Sequence, residues 1–271
     1  MNFLNATTDI TFKKLFGTEE HKNILLSFLN NVLNRSKKDK IIDVTFLDPY
    51  NHPDTPENKL SIVDVRCSDQ EGNQYIIEIQ VVAQPDYIKR AHYYVARALG
   101  SQLQRGEDYK EIVPVIFIGI VDFTLFPNPL YSNDFFVTNK ECPNITLDYI
   151  EFHFIELPKF TKTLEQLETI IDKWIYLLKN AETLKTIPEQ LEMPKEVCDA
   201  LEVLEQGTWS EKDLDLYFRA VDTERIVRSI QREAKFEEKI EVAKKMLARG
   251  LPIETICEFT GLNPDEVKII Q

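Results

Sequence analysis

The chain has 271 residues, with 32 Lys+Arg against 45 Asp+Glu and a formal net charge of −13. Its 43% hydrophobic and 10% aromatic content is enough to bury a core, which excludes global disorder. The acidity excludes a protein that coats nucleic acid through its whole surface, and only 8 glycines argue against a glycine-rich nucleotide fold.

In chain order, Met1-Asn2-Phe3-Leu4 opens without the basic and apolar stretches of a signal peptide. Residues 8–34 read as helix. Phe12, Leu15 and Phe16 recur at helical spacing, and after Gly17-Thr18 the run Ile24, Leu25, Phe28, Leu29, Val32, Leu33 forms an apolar stripe. Residues 41–47 and 60–67 read as strands joined by a proline-containing loop at 48–58, and 74–82 reads as a third strand. Residues 86–105 read as a helix closed by Gly106. The most apolar stretch, 112–126, is too short to span a bilayer and reads as a buried strand over 112–121. Residues 147–157 alternate as a half-exposed strand does. From Lys159 onward the pattern is helical, punctuated by Pro188, Pro194, Gly207, Gly250 and Gly261. The expectation is an α+β domain with a mixed sheet over 1–160 and a helical region over 161–271. Cys67, Cys142, Cys198 and Cys257 are scattered without a CxxC pair, which points to a reduced, cytoplasmic protein.

The most informative segment is the pair of strand-like runs around Ser68-Asp69-Gln70-Glu71-Gly72-Asn73. Gly72 suits the left-handed position that ends a three-residue hairpin loop, with Asp69 and Asn73 as the closing pair. Counted outward, that register sets Asp64 opposite Glu78. Val63, Val65, Cys67, Tyr75, Ile77, Ile79 and Val81 then share an apolar face, and Ile62, Asp64, Arg66, Ile76, Glu78 and Gln80 share the other. Like charges directly opposed on a sheet are destabilising, so the pair needs a partner. A divalent cation, which takes oxygen ligands, is one answer. Neutralisation by Arg66 in a structural ion network is the other, and spacing does not choose between them.

Asp64 followed by Glu78-Ile79-Gln80 resembles the PD-(D/E)XK nuclease signature. Several further segments resemble one branch, the Rpn family of recombination-promoting nucleases, also described as PD-(D/E)XK nuclease family transposases. These are Thr8-Asp9-Ile10-Thr11-Phe12-Lys13-Lys14-Leu15-Phe16-Gly17, Leu29-Asn30-Asn31-Val32-Leu33, Ile62-Val63-Asp64-Val65, Arg90-Ala91-His92-Tyr93-Tyr94 and Glu156-Leu157-Pro158-Lys159-Phe160. The resemblance implies a restriction-endonuclease-like αβββαβ core. It also implies a Mg²⁺- or Mn²⁺-dependent endonuclease acting on DNA and tied to recombination or transposition. On that resemblance Asp64, Glu78 and the Ile79 backbone carbonyl hold the metal, and Gln80 positions a water. Gln80 stands where the parent motif has Lys and supplies no positive charge.

The resemblance also brings Asp9 toward the metal and Lys13 to the scissile phosphate, whereas spacing alone makes them a surface i,i+4 pair. Arg90, Tyr94 and Arg97 share a helix face; spacing alone makes them a polar, solvent-facing stripe, and the resemblance brings Arg90 and Tyr94 to the substrate phosphate. Glu151 and His153 share a strand face without an evident third metal ligand, so a hydrogen-bonded structural histidine on an edge strand is expected there.

Residues 225–249 carry 8 basic and 4 acidic side chains against the acidic trend. The breaks at Gly250-Leu251-Pro252 and Thr260-Gly261-Leu262-Asn263-Pro264 give a helix–turn–helix rhythm, although 253–259 offers no Arg, Lys, Asn or Gln to base edges. Cutting both strands of a duplex favours a homodimer. The rival readings are a non-catalytic nucleic-acid-binding or regulatory protein that keeps the nuclease fold, and a helix-turn-helix regulator.

Overall fold

A computed structural model describes residues 1–35, 37–51, 61–103 and 106–270. Most of the loop read at 48–58 lies outside the described residues, as do 104–105 at the end of the helix read over 86–105. The elements run α1 (Asp9–Phe16), α2 (Lys22–Val32), β1 (Val44–Phe46), β2 (Tyr50–Asn51), β3 (Ser61–Ile62), β4 (Val65–Asp69), β5 (Gln74–Gln80), α3 (Tyr87–Gly100), β6 (Val115–Val121), β7 (Ser132–Thr138), β8 (Thr146–Glu156), α4 (Ile170–Asn180), α5 (Lys195–Leu204), α6 (Glu211–Leu247), α7 (Ile253–Thr260) and α8 (Pro264–Ile269).

Six strands form one mixed sheet in the order β1-β4-β5-β6-β8-β7. The β1, β4 and β5 pairings are antiparallel, α3 crosses over to a parallel β6, β8 adds in parallel, and β7 closes antiparallel on β8. The succession α1, β1, β4, β5, α3, β6 is the αβββαβ core that the resemblance implies. Because β6 is covered on both faces, its sequence VIFIGIV is buried throughout, as parallel strands in such sheets are.

One face of the sheet packs against α1, α2, α4 and α5. Phe16 sits 4.8 Å from Phe28 and 6.0 Å from Trp174 by ring centroids, and all three are fully buried. Truncating such an aromatic costs about 3–5 kcal/mol, so this cluster holds α1 firmly against the sheet. The other face packs against α3, whose Ala91, Tyr94, Val95 and Ala98 follow i, i+3, i+4, i+7 spacing and meet Phe117, Phe152 and Phe154.

Three expectations need correction. The boundary drawn at residue 160 does not separate compact units. The first unit is Met1–Ala220, because α4 and α5 supply Trp174, Leu177, Leu178, Val197 and Leu201 to the same core as α1 and α2. The strand read over 60–67 is broken at Val63-Asp64, because β3 leaves the main sheet to pair with β2 through Tyr50 and Ile62. Val63 thereby joins the α3-side core with Ile76 instead of the face shared by Val65 and Cys67. Finally, β7 was not read from the sequence, and it makes β8 an interior strand instead of an edge.

The second unit, Val221–Gln271, contains the later part of α6 with α7 and α8. Its own small core is Ala243, Ile256, Leu262 and Val267. Gly261, at φ 66, ends α7 in the left-handed conformation that favours glycine. Asn263 and Glu266 then form a reciprocal capping box that starts α8, with Pro264 in its first turn. No helix among the described residues is long and apolar enough to cross a membrane.

Candidate active site

The turn between β4 and β5 sets the register of the site. Asp69 accepts from the Glu71 and Asn73 N–H groups at 2.9 Å each, and Gly72 takes φ 88. The ladder pairs Val65 with Ile77 and Cys67 with Tyr75, so one further step puts Asp64 across from Glu78 as read from the sequence. Asp64 lies just beyond the end of β4, where the broken strand frees its main chain. Its N–H donates to Glu78 Oε1 at 3.2 Å, and its own Oδ2 accepts from the Ile79 N–H at 2.8 Å. Each carboxylate is thus tied to the other residue's strand through a backbone donor.

The two acids are largely withdrawn from water. Glu78 is 5% exposed and the Asp64 side chain 16%. Burial pushes the Asp64 carboxyl up to about 6; the Ile79 N–H bond and Lys13 pull it back down, while the Asp9 charge adds to the rise. Glu78 is held well above its ordinary value by burial and then by the Asp64 charge, with Arg90 opposing. Two such groups side by side call for either a proton or a cation between them.

Cationic side chains approach from both sheet faces. Lys13, on α1, bonds Asp9 at 2.7 Å and stands 3.8 Å from Asp64 Oδ1. It is therefore more than a surface i,i+4 pair, while Asp9 remains 61% exposed. Arg90, on α3, donates to Gln80 Oε1 and to Gln84 Oε1, and its guanidinium lies 5.2 Å from the centre of the Tyr87 ring. Gln80 Nε2 in turn bonds the Val82 carbonyl at 3.0 Å. Tyr94 is 8% exposed and packs its ring into the α3-side core instead of standing in a solvent-facing stripe. Burial, then the nearby Glu78 charge, raise its hydroxyl to about 12. Arg66, considered as the neutraliser of Glu78, donates to Gln74 Oε1 at 2.9 Å.

Among the described residues, no three His, Cys, Asp or Glu side chains gather at metal-binding distances. A metal here would have the two carboxylates as its protein ligands, which suits a hard cation that takes one or two carboxylates and keeps several waters. His153 is hydrogen-bonded to Asp134 at 2.9 Å and Glu151 at 3.3 Å, the structural histidine expected from the sequence.

One neighbour of the site was not singled out from the sequence. Tyr87, at the start of α3, is 1% exposed and its hydroxyl has no hydrogen-bond partner among the described residues. At the sequence level it reads only as another core aromatic.

A sheet of this topology, with an Asp at a strand break and Glu-x-Gln on the next strand, defines a restriction-endonuclease-like nuclease fold. The model of the PD-(D/E)XK nuclease family transposases matches residues 6–230, and the chain belongs to that family. The C-terminal HTH domain of the Rpn/YhgA-like nuclease family matches residues 236–271, which cover the end of α6 with α7 and α8. Neither the curated proteins nor the solved structures compared with the chain include a match.

Proposed function

We propose that this chain is a metal-dependent endonuclease that hydrolyses phosphodiester bonds of DNA. The observation that carries this reading is the pair of buried carboxylates, Asp64 and Glu78, seated side by side through reciprocal backbone bonds. Asp64 and Glu78 hold Mg²⁺ or Mn²⁺. The Ile79 carbonyl is oriented to join them, because a strand residue's N–H and C=O point to the same neighbour and the Ile79 N–H already meets Asp64. When bound, the cation supplies an acidified water and offsets the charge that develops on the phosphate.

The protein's own groups do the rest. Lys13 and Arg90 meet the phosphate oxygens from opposite sides, exchanging the carboxylate and amide partners they hold in the free protein. Gln80 orients a water, and Arg90, bonded to its amide, returns the positive charge that glutamine lacks where the parent motif has lysine. Tyr94 presents only its hydroxyl to the site, and Asp9 holds Lys13 in place. Two copies of the chain would sever both strands of a duplex. The C-terminal HTH domain supplies DNA contact, and a link to recombination or transposition follows from the family.

Supercoiled plasmid incubated with purified protein and Mg²⁺ or Mn²⁺ tests the reading. Wild type nicks the plasmid, while EDTA or Asp64→Asn abolishes nicking. Equal cutting by wild type and Asp64→Asn would assign the cutting to a contaminant and leave a non-catalytic DNA-binding protein.

A further inference from the structure

Tyr87 packs its ring edge-on against Phe123 and Phe154, with centroids 6.0 and 6.2 Å away. Phenylalanine would fill that space equally well. The hydroxyl adds a buried polar atom with no hydrogen-bond partner among the described residues, which costs free energy unless something meets it. Its location identifies what it serves. Glu78 on β5 is paired in the parallel ladder with Gly119 on β6. A Cβ at Gly119 would lie 2.6 Å from the Tyr87 hydroxyl, so glycine there leaves room for that oxygen. Paired residues of neighbouring strands point to the same sheet face, about 4.8 Å apart. The hydroxyl therefore sits over Gly119 on the sheet face that carries Glu78, and Glu78 is the charge that acts on it most strongly. Burial and the charge of Glu78 hold the phenol in its protonated form, so it remains a hydrogen-bond donor.

We propose that Tyr87 is a positioning residue for Glu78: its hydroxyl reaches that carboxylate through one water and fixes it in cation-binding orientation, while Gly119 keeps the space open. The inference rests on the two-carboxylate reading above. Metal ligands are commonly fixed by such hydrogen-bonded outer partners, and losing one typically weakens metal affinity about 10–100-fold.

The test is Tyr87→Phe in the full chain, read by Mn²⁺ titration calorimetry and by thermal melting in EDTA. Melting should change little, because the ring that packs against Phe123 and Phe154 is kept. Mn²⁺ affinity should fall about tenfold. Nicking should fall with it at limiting Mn²⁺ and recover at excess, a pattern that a packing role would not produce. Unchanged Mn²⁺ affinity, or loss of cooperative melting, overturns the inference and makes Tyr87 a core residue. A wild type that binds no Mn²⁺ removes the two-carboxylate reading itself, and this inference with it. A wild type that binds Mn²⁺ equally with Tyr87→Phe removes this inference alone.

Discussion

Two acids buried side by side should destabilise the metal-free fold, and Asp64→Asn isolates that cost. Burial leads in raising Asp64 from an ordinary 3.8 to about 6, so the folded protein binds this proton more tightly than the unfolded chain does. By linkage, stability is then lost as pH rises from about 4 through about 6, and the loss is complete above it. A rise of that size sets a ceiling of ~3 kcal/mol, and sharing of the charge with Glu78 and Lys13 makes ~1–3 kcal/mol the expected range. Asparagine keeps an oxygen to accept the Ile79 N–H, which bonds Asp64 at 2.8 Å, and removes only the charge. In EDTA at pH 7.5 the variant should melt above wild type, by roughly 2–4 °C for each kcal/mol in a unit of this size. The difference should shrink as pH falls through about 4 and approach zero near pH 3, where the acid is largely protonated in both states. Mg²⁺ should then raise the melting temperature of wild type and leave that of the variant unmoved. Calorimetric melts at the two pH values, with and without Mg²⁺, settle the matter. An Asp64→Asn protein less stable than wild type at pH 7.5, or equally stabilised by Mg²⁺, would refute the reasoning.

Arg90→Ala should lower nicking by at least about tenfold while melting moves little, since the guanidinium bonds the side-chain amides of Gln80 and Gln84 at the site margin; a plasmid assay beside a melt separates the two effects. Gly119→Ala should destabilise the fold by ~1–3 kcal/mol, because its Cβ would lie 2.6 Å from the Tyr87 hydroxyl and 2.9 Å from Phe117, and urea unfolding measures the loss. For His153, burial opposes protonation, but bonds to Asp134 and Glu151 prevail and hold its pKa above the ordinary 6.5. Its contribution to stability is therefore complete below about pH 6.5 and fades as pH rises through the raised value, so His153→Gln should be most costly at pH 6 and least at pH 9 in urea melts.

The β4–β5 hairpin was legible because its information is local. Asp69 and Gly72 fix the turn, the turn fixes the register, and the register delivers Asp64 to Glu78. The break at Val63-Asp64 was not legible, because it depends on β2 drawing β3 out of the sheet, a pairing that no periodicity records. Helical spacing in α4 and α5 shows that one face is buried but not against what, so their membership in the α1–α2 core appears only in three dimensions. Strand β7 begins Ser132-Asn133-Asp134 and leaves Phe135, Phe136 and Val137 exposed, which defeats both alternation and core signals. At the site, spacing favours Lys13 as a surface partner of Asp9, and only the fold shows Asp64 on its other side. Tyr94 and Tyr87 carried no signal of their depth, since aromatic spacing on a helix does not say which hydroxyl lacks a partner.

The net charge of −13 bears on the site in a specific way. With all groups ionised, Asp9, Asp64 and Glu78 outweigh Lys13 and Arg90 by one negative charge, and Lys13 is held by two of those acids. A metal-free site of this kind repels a phosphate and offers it no free cation from Lys13. A divalent cation on Asp64 and Glu78 reverses the local sign and loosens the hold of Asp64 on Lys13. On the proposed reading, phosphate binding at the nuclease core should therefore be coupled to metal binding, and the acidic remainder of the chain should disfavour DNA elsewhere. The separate stretch 225–249, with 8 basic against 4 acidic residues, has no such dependence. Metal-independent, salt-sensitive affinity for DNA should come from that stretch, and metal-dependent affinity from Lys13 and Arg90.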